Sequence, residues 1–182
     1  MFEIAPRPES AVIAQGCVRV QLIYRLCTEA DLPALEWMGL FTTHRQIIRT
    51  TFEKQQQGNV WMVLAVASGF PVAQVWIDAA ERGSILCPRL WAMRVFPPLQ
   101  GAGIGTELLL HTETFARDRG AHELEIGVEP DNVGARRFYA RLGYRRVGHV
   151  VEAAEHETDE QRQRAGIEQE LLRKSLRLAA RE

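Results

Sequence analysis

Three glycines in five residues, Gly101, Gly103 and Gly105, divide an apolar run that closes on Phe96-Pro97-Pro98 from a stretch of helical periodicity opening near Ile104. Read forwards, Gln100-Gly101-Ala102-Gly103-Ile104-Gly105 is the joint of a strand, a proline-marked turn and a helix. Glycine lets the backbone take positive φ and lets a ligand come close, because no Cβ stands in the way. The first turn of a helix has amide N–H groups without intrahelical acceptors, and the aligned peptide dipoles make that end partly positive. Such a joint suits a diphosphate; taken alone it also suits a plain tight turn. Two other phosphate loops fit poorly. A Walker loop needs a lysine before its Ser/Thr, and Thr106 directly follows Gly105. A dinucleotide fingerprint wants a third glycine where Thr106 stands and normally opens a βαβ unit, whereas this loop lies past the middle of the chain.

The segments around the loop read as alternating strands and helices. Residues 18–26 alternate apolar and polar in strand fashion. Thr28 and Asp31 mark a helix start, with Leu32, Leu35, Trp37, Met38 and Leu40 as a buried stripe running to about Phe41. A second helix covers residues 43–57. Residues 60–67 and 71–78, joined through Ser68-Gly69, predict a hairpin. After a turn at 81–84, a third antiparallel strand begins at Ile85 or Arg89 and ends at Val95. The helix at 104–119 buries Ile104, Leu108, Leu109, Thr112, Phe115 and Ala116, and Gly120 caps it. A strand at 124–128 follows, and strand–helix–strand units of this length cross over right-handedly between parallel neighbours. Asp131-Asn132 caps a helix at 133–142 with Arg136, Arg137 and Arg141 on its wet side; strands at 144–151 and 167–176 flank a charged loop at 152–164.

With 182 residues, 46% of them hydrophobic, the chain can bury one good core. Residues 1–17 are expected to be an N-terminal arm and residues 18–178 a single domain. A formal net charge of −1 gives no pull toward nucleic acid or an anionic membrane. No apolar run approaches the ~20 residues that span a bilayer, and residues 1–15 lack the pattern of a secretory signal. Cys17, Cys27 and Cys87 are odd in number and without metal-ligand spacing, so they read as reduced thiols of a cytoplasmic protein that holds no metal.

The order of these pieces resembles the GNAT superfamily of acetyl-coenzyme A-dependent N-acetyltransferases. Gln100-Gly101-Ala102-Gly103-Ile104-Gly105 is similar to the family's Arg/Gln-x-x-Gly-x-Gly/Ala pyrophosphate loop. The segment from Asn132 through Ala135, Phe138, Tyr139 and Gly143 to Tyr144 is similar to its Asn-x-x-Ala-x-x-Phe-Tyr-x-x-x-Gly-Phe/Tyr element. One helix and one strand separate the two, as in the family. The resemblance is sharp over residues 90–150 and architectural before that. It implies a single-domain α/β (α+β) fold: a mixed, twisted sheet of about seven strands, mostly antiparallel, with one splayed parallel pair and helices on both faces. Acetyl-coenzyme A would lie in the wedge between the strands at 90–95 and 124–128. Its pyrophosphate would take amides of Gln100, Gly101, Ala102, Gly103, Ile104 and Gly105, with a hydroxyl from Thr106. Its pantetheine would pair with the strand edge at Met93 and Val95. Asn132, which also suits a plain helix cap, would contact that arm, and Phe138 would pack beside it.

The resemblance also implies direct attack of an uncharged primary amine of a small molecule on the thioester, in a ternary complex without metal. The Val95 amide would meet the growing negative charge on the carbonyl oxygen. Tyr139, a phenol protonated at neutral pH, would donate to the departing thiolate; by itself a Phe-Tyr pair on an amphipathic helix is more often packing. Many family members place a glutamate early in the strand before the loop, where this chain reads Arg89-Leu90-Trp91. Glu125, Asp78, Glu81 and His44 are the remaining candidates for the base, and a chain of waters is the alternative. Arg89 and Arg94 hint at an acceptor bearing a carboxylate. Acetylation of a protein N-terminus or lysine, a catalytically idle coenzyme A-binding module and a nucleotide-binding protein are the rival readings, and a homodimer is compatible with each.

Overall fold

In the hairpin at the centre of the sheet, Ser68 and Gly69 carry φ of 47° and 80°. Two consecutive residues at positive φ form the turn whose twist matches that of the strands it joins, and β2 (Val60–Ala67) folds back on β3 (Phe70–Asp78) in register Ala67↔Phe70. The structure, a computed structural model, describes residues 20–78, 87–152 and 167–177. The expected N-terminal arm, the start of the first strand, Cys17, the turn at 81–84, Ile85 and nearly all of the charged loop at 152–164 lie outside the described residues.

Around that hairpin stand β1 (Leu22–Leu26), β4 (Arg89–Val95), β5 (Glu123–Val128), β6 (Arg145–Glu152) and β7 (Ile167–Ser175), in the spatial order β1-β2-β3-β4-β5-β7-β6. Every neighbouring pair is antiparallel except β4 and β5. The last strand therefore slots between β5 and β6, a pairing that runs far along the chain. β2 and β3 are buried along nearly their whole length, as central strands covered on both sides must be.

Two cores result. On one face, α2 (Ile104–Arg117) and α3 (Val133–Arg141) cover Val63, Val75, Leu90, Leu124 and Ile126 with Leu108, Leu109 and Tyr139. On the other, α1 (Arg45–Gln56) and the 3-10 helix Glu29–Glu36 cover Met62, Leu64 and Trp76 with Ile48, Phe52 and Leu35. Alternate residues of each strand feed alternate cores, as the period-two pleat requires. No helix among the described residues is long and apolar enough to cross a membrane.

The first helix differs from expectation. Thr28 and Asp31 do bond each other, Thr28 N donating to Asp31 Oδ2 at 2.8 Å and Thr28 Oγ1 at 2.7 Å. What they open is a 3-10 helix containing Pro33, which has no N–H to give a longer ladder. Trp37, Met38 and Gly39 then take positive φ and stop it. Leu32, Leu35 and Trp37 are buried as expected, whereas Met38 and Leu40 are 82% and 58% exposed, so the buried stripe ends at Trp37. Likewise Arg136 is not on the wet side of its helix: it is half-buried, 3.3 Å from Glu170. Phe115 is partly rather than fully buried in the first core.

Asp31 is the most heavily bonded carboxylate of this region, taking 2.6 and 2.7 Å bonds from Arg25 besides those from Thr28. Hydrogen bonding by Arg25 leads the effects that hold its pKa down at about 2, against the desolvation that would raise it. A depressed carboxyl pKa stabilises the fold above the unfolded-state value, and that stabilisation is lost as pH falls through ~4 toward ~2. Asp31→Asn is expected to lower stability at pH 7 by ~1–3 kcal/mol and to flatten the acid limb in that window, as read by urea melts at pH 7, 5 and 3.

Candidate active site

β4 is irregular in the middle. Gln74 faces Arg94 and Trp76 faces Trp91, so the single residue Val75 stands opposite both Ala92 and Met93. Ala92 takes φ of 49° to absorb the extra residue, a bulge that bends the strand. Pairing with β5 reaches only Arg89↔Glu125 and Leu90↔Ile126 and then stops. Beyond it the two strands part. Phe96 N donates to Val72 O at 2.8 Å, toward β3; successive amides of a strand point to opposite sides, so the Val95 N–H points into the gap. The Val95 carbonyl on that same side accepts from Gln100 Nε2 at 3.1 Å.

The glycine loop stands at the mouth of this gap. A 3-10 turn at Pro97–Leu99 leads into it, and Gly101 and Gly103 take φ of 81° and 84°. Gly103 is the N-cap of α2, and its carbonyl accepts from Thr106 N at 3.0 Å and Glu107 N at 3.2 Å. Among the described residues, no main-chain acceptor takes the amides of Gly101, Ala102, Gly103, Ile104 or Gly105. A Cβ placed on Gly101 or Gly103 would meet nothing within 4 Å, so open space lies in front of them. Gly105 is different: its Cβ would sit 3.2 Å from Val95 Cγ2, 3.4 Å from Met93 Cε and 3.8 Å from Phe138 Cζ. Those four residues thus meet at one point. Ile104 is 8% exposed, its side chain in the core, and can offer only its amide to a ligand; the Thr106 amide is already used, leaving its hydroxyl.

α3 brings the second segment alongside. Asn132 Oδ1 accepts from Ala135 N at 3.0 Å, a helix cap worth ~1 kcal/mol. Phe138 is half-buried and Tyr139 buried, their rings edge-to-face at 5.0 Å, with Tyr144 5.5 Å beyond Tyr139. Burial pushes the Tyr139 phenol well above its ordinary pKa, so it stays protonated throughout the neutral range. The polar atoms enclosed without a partner include Tyr144 Oη but not the Tyr139 hydroxyl.

The opposite face of the gap carries the charged residues. Glu125 lies 3.1 Å from Arg89 and 2.9 Å from Arg173 and is 4% exposed. Burial raises its carboxyl, and hydrogen bonds from Arg173 and Arg89 more than reverse that, leaving it below its ordinary pKa. A carboxylate so held is a poor proton acceptor, which weighs against Glu125 as the base. Asp78 faces Arg89 across β3 and β4; His44 stands beside Phe41 at the rim, its Nδ1 3.1 Å from Thr43 Oγ1; Glu81 is outside the described residues. The missing side chain at Gly127 leaves room for Gln169, which a Cβ there would strike. Sequence pattern does not single out Gln74, yet it is 1% exposed and directly opposite Arg94. Its one signal is a lone amide inside an otherwise apolar strand run, Val72-Ala73-Gln74-Val75-Trp76-Ile77.

Glu125→Gln removes a carboxylate shared by two arginines and is expected to destabilise the fold by ~3 kcal/mol. Turnover per folded molecule should fall less than about tenfold. A loss of about a hundredfold with the melting temperature intact, the order expected for a general base, would restore Glu125 to that role.

A family model for the acetyltransferase (GNAT) family matches residues 24–144. An uncharacterised N-acetyltransferase of Methanocaldococcus jannaschii is 30% identical over 97 residues, covering 46% of this chain and 42% of that protein. The aminoalkylphosphonate N-acetyltransferase of Salmonella typhimurium is 41% identical over 51 residues, 28% of this chain and 33% of that protein. The chain thus spans less than half the length of these relatives. A Salmonella typhimurium acetyltransferase solved with acetyl-coenzyme A shares the fold at a TM-score of 0.67 and 16% identity, over 89% of this chain and 98% of that one. The family match runs from β1 past the end of α3, through the bulged strand, the open glycine loop and the capped helix alike, and the chain belongs to the GNAT acetyltransferase family.

Proposed function

We propose that this chain transfers the acetyl group of acetyl-coenzyme A to the primary amine of a small molecule, with both substrates held at once. One observation carries the reading: the amides of Gly101 to Gly105 find no main-chain acceptor, and they open onto the gap into which the Val95 N–H points. A diphosphate fits such a set, because it accepts several N–H bonds at the positive end of a helix. Acetyl-coenzyme A in the similar Salmonella structure supports the same ligand here. The aminoalkylphosphonate specificity named for one relative supports a small amine as acceptor. Cys27 and Cys87 are free, and burial pushes the Cys27 thiol up to about 12, so neither calls for an oxidising compartment and the cytoplasm suits the chain.

In this reading Gly101 to Gly105 hold the diphosphate, with the Thr106 hydroxyl beside it; the Gln100 amide, expected to join them, is instead taken by Pro97 O at 3.2 Å. Met93 and Val95 pair through their main chain with the pantetheine arm, as an edge strand would. Gly105 and Phe138 shape the channel and Asn132 stands at its side. The coenzyme supplies an acyl group activated as a thioester. The Val95 N–H donates to the carbonyl oxygen as charge builds there, a hydrogen bond stronger in the transition state than before it. Tyr139 donates its phenolic hydrogen toward the departing sulfur. The burial that keeps Tyr139 protonated also makes its phenolate costly, so much of its contribution is a hydrogen bond held throughout the step. The acceptor's proton leaves through water on the α1 face.

A screen of primary amines, read by thiol release from acetyl-coenzyme A, tests the activity directly. Tyr139→Phe is expected to lower turnover by about 10²-fold with coenzyme binding retained; full turnover would remove Tyr139 from the chemistry. Gly103→Val puts a β-branched side chain at φ of 84° in front of the loop amides. It should abolish the rise in melting temperature that acetyl-coenzyme A gives the native chain while leaving the circular dichroism native; an undiminished rise would refute the loop assignment.

A further inference from the structure

Arg94 stands out among the arginines of this face. Arg25, Arg45, Arg89 and Arg173 each lie within 2.6–3.1 Å of a carboxylate. Arg94 is half-buried between Met93 and Val95, and the contact its guanidinium makes is with the Phe41 ring, 4.3 Å from its centroid. Among the described residues no carboxylate pairs with it. Its nitrogens are not among the enclosed, unpaired atoms, so they are open to a ligand. Desolvation alone acts on its pKa, downward, with no anion offsetting it.

Directly opposite on β3 is Gln74, and residues paired in this way send their side chains to the same face. Both amide atoms of Gln74, Nε2 and Oε1, are enclosed without a hydrogen-bond partner. Buried polar groups are nearly always paired, and an unpaired one calls for an explanation. A cation–π contact with Phe41 accounts for the position of Arg94 but leaves both atoms of Gln74 unaccounted for. An oxyanion seated against the guanidinium supplies the missing counter-charge and gives one of the two Gln74 atoms, Nε2, an acceptor. A planar guanidinium, with its forked N–H groups, suits the paired oxygens of a carboxylate, phosphonate or phosphate.

We propose that Arg94, backed by Gln74, binds an oxyanion of the acceptor, so that the amine this chain acetylates carries a carboxylate, phosphonate or phosphate on a short linker. The linker is short because Arg94 is the immediate neighbour of Val95, whose N–H faces the gap. The inference rests on the transferase reading above. In it, Arg94 sets specificity: it holds the end of the acceptor that does not react and leaves the acyl chemistry to Val95 and Tyr139.

The test uses the full chain and three amines on one two-carbon linker, ending in phosphonate, carboxylate or hydroxyl. The native chain should prefer the anionic amines. Arg94→Gln should raise KM for them by about 10–100-fold, with kcat, and the constants for the hydroxyl amine, moved less than about threefold. Gln74→Leu should move the anionic KM in the same direction by a smaller factor, and Arg94→Lys should recover part of the loss, which also covers the case that Arg94→Gln fails to fold. The phosphonate and carboxylate arms tell which oxyanion is preferred. Equal loss on all three amines in Arg94→Gln, or no preference for the anionic ones in the native chain, would overturn the inference and leave the transferase reading intact. Should no amine turn over, the aminophosphonate is tested as a ligand by melting temperature. A rise seen in the native chain and absent in Arg94→Gln keeps the anion site and sinks the transferase reading, whereas no rise overturns the anion site as well.

Discussion

The structure depends on a sheet that does not finish pairing with itself. β4 bonds to β5 at Arg89 and Leu90 and then leaves it, because Ala92 in the left-handed region inserts one residue and turns the strand aside. The Val95 N–H is left in the interior of a sheet with no strand to receive it. A main-chain donor deprived of a partner in such a place costs about 1–3 kcal/mol, so the arrangement holds only where water or a ligand can replace the strand. A linear ligand with its own amides is the natural replacement, since it can form the same spacing of bonds. The side chains follow from the same bulge. It keeps Trp91 and Arg94 on the α1 face and turns Met93 and Val95 toward α2, so one strand serves a channel on one face and a charged surface on the other.

The glycine loop is an electrostatic complement to that gap. The free amides at the start of α2 attract negative charge, and the carboxylate of Glu107 in the same first turn would compete for that position. It is drawn away: Tyr24 Oη on β1 donates to Glu107 Oε2 at 2.6 Å, and desolvation followed by that hydrogen bond raises the Tyr24 pKa. The tie leaves the loop amides to other anions and fastens the edge strand to α2 across a long stretch of chain. His111, one turn further on the same helix, packs against the Tyr24 ring, centroids 4.3 Å apart.

Much of the architecture is legible because it is written in local signals. The hairpin at Ser68-Gly69 needs only two turn residues between apolar runs, and α2 needs only its periodicity and the glycines at its two ends. The crossover from β4 to β5 follows from the length of the connection. Where local signals conflict, tertiary context decides. Met38 and Leu40 fit a helical stripe by spacing, but Pro33 and the positive φ at Trp37 end the helix before they reach the core. The insertion of β7 between β5 and β6 carries no local signal, since it is settled by pairings such as Leu172 with both Ile126 and Arg146.

The same distinction divides the candidate site. A ligand held by main-chain amides needs glycines at fixed places, and glycines are visible in a sequence, so the loop and the wedge beside it can be read in advance. The α1 face is made of side-chain pairings between distant residues, and a sequence shows the residues but not the pairings. Glu125 illustrates the point. By position it is a carboxylate on the strand bordering the gap, which qualifies it as a base; what weighs against it is the joint presence of Arg89, 36 residues before it, and Arg173, 48 residues after it. Arg94 is the converse. In sequence it stands with Arg89 as a hint of an anionic acceptor, and only the fold separates the two: Arg89 pairs with Glu125, whereas among the described residues no carboxylate pairs with Arg94. A charge left over in this way is more informative than a charge paired, because the pairing explains itself within the protein, whereas the remainder must be explained from outside it.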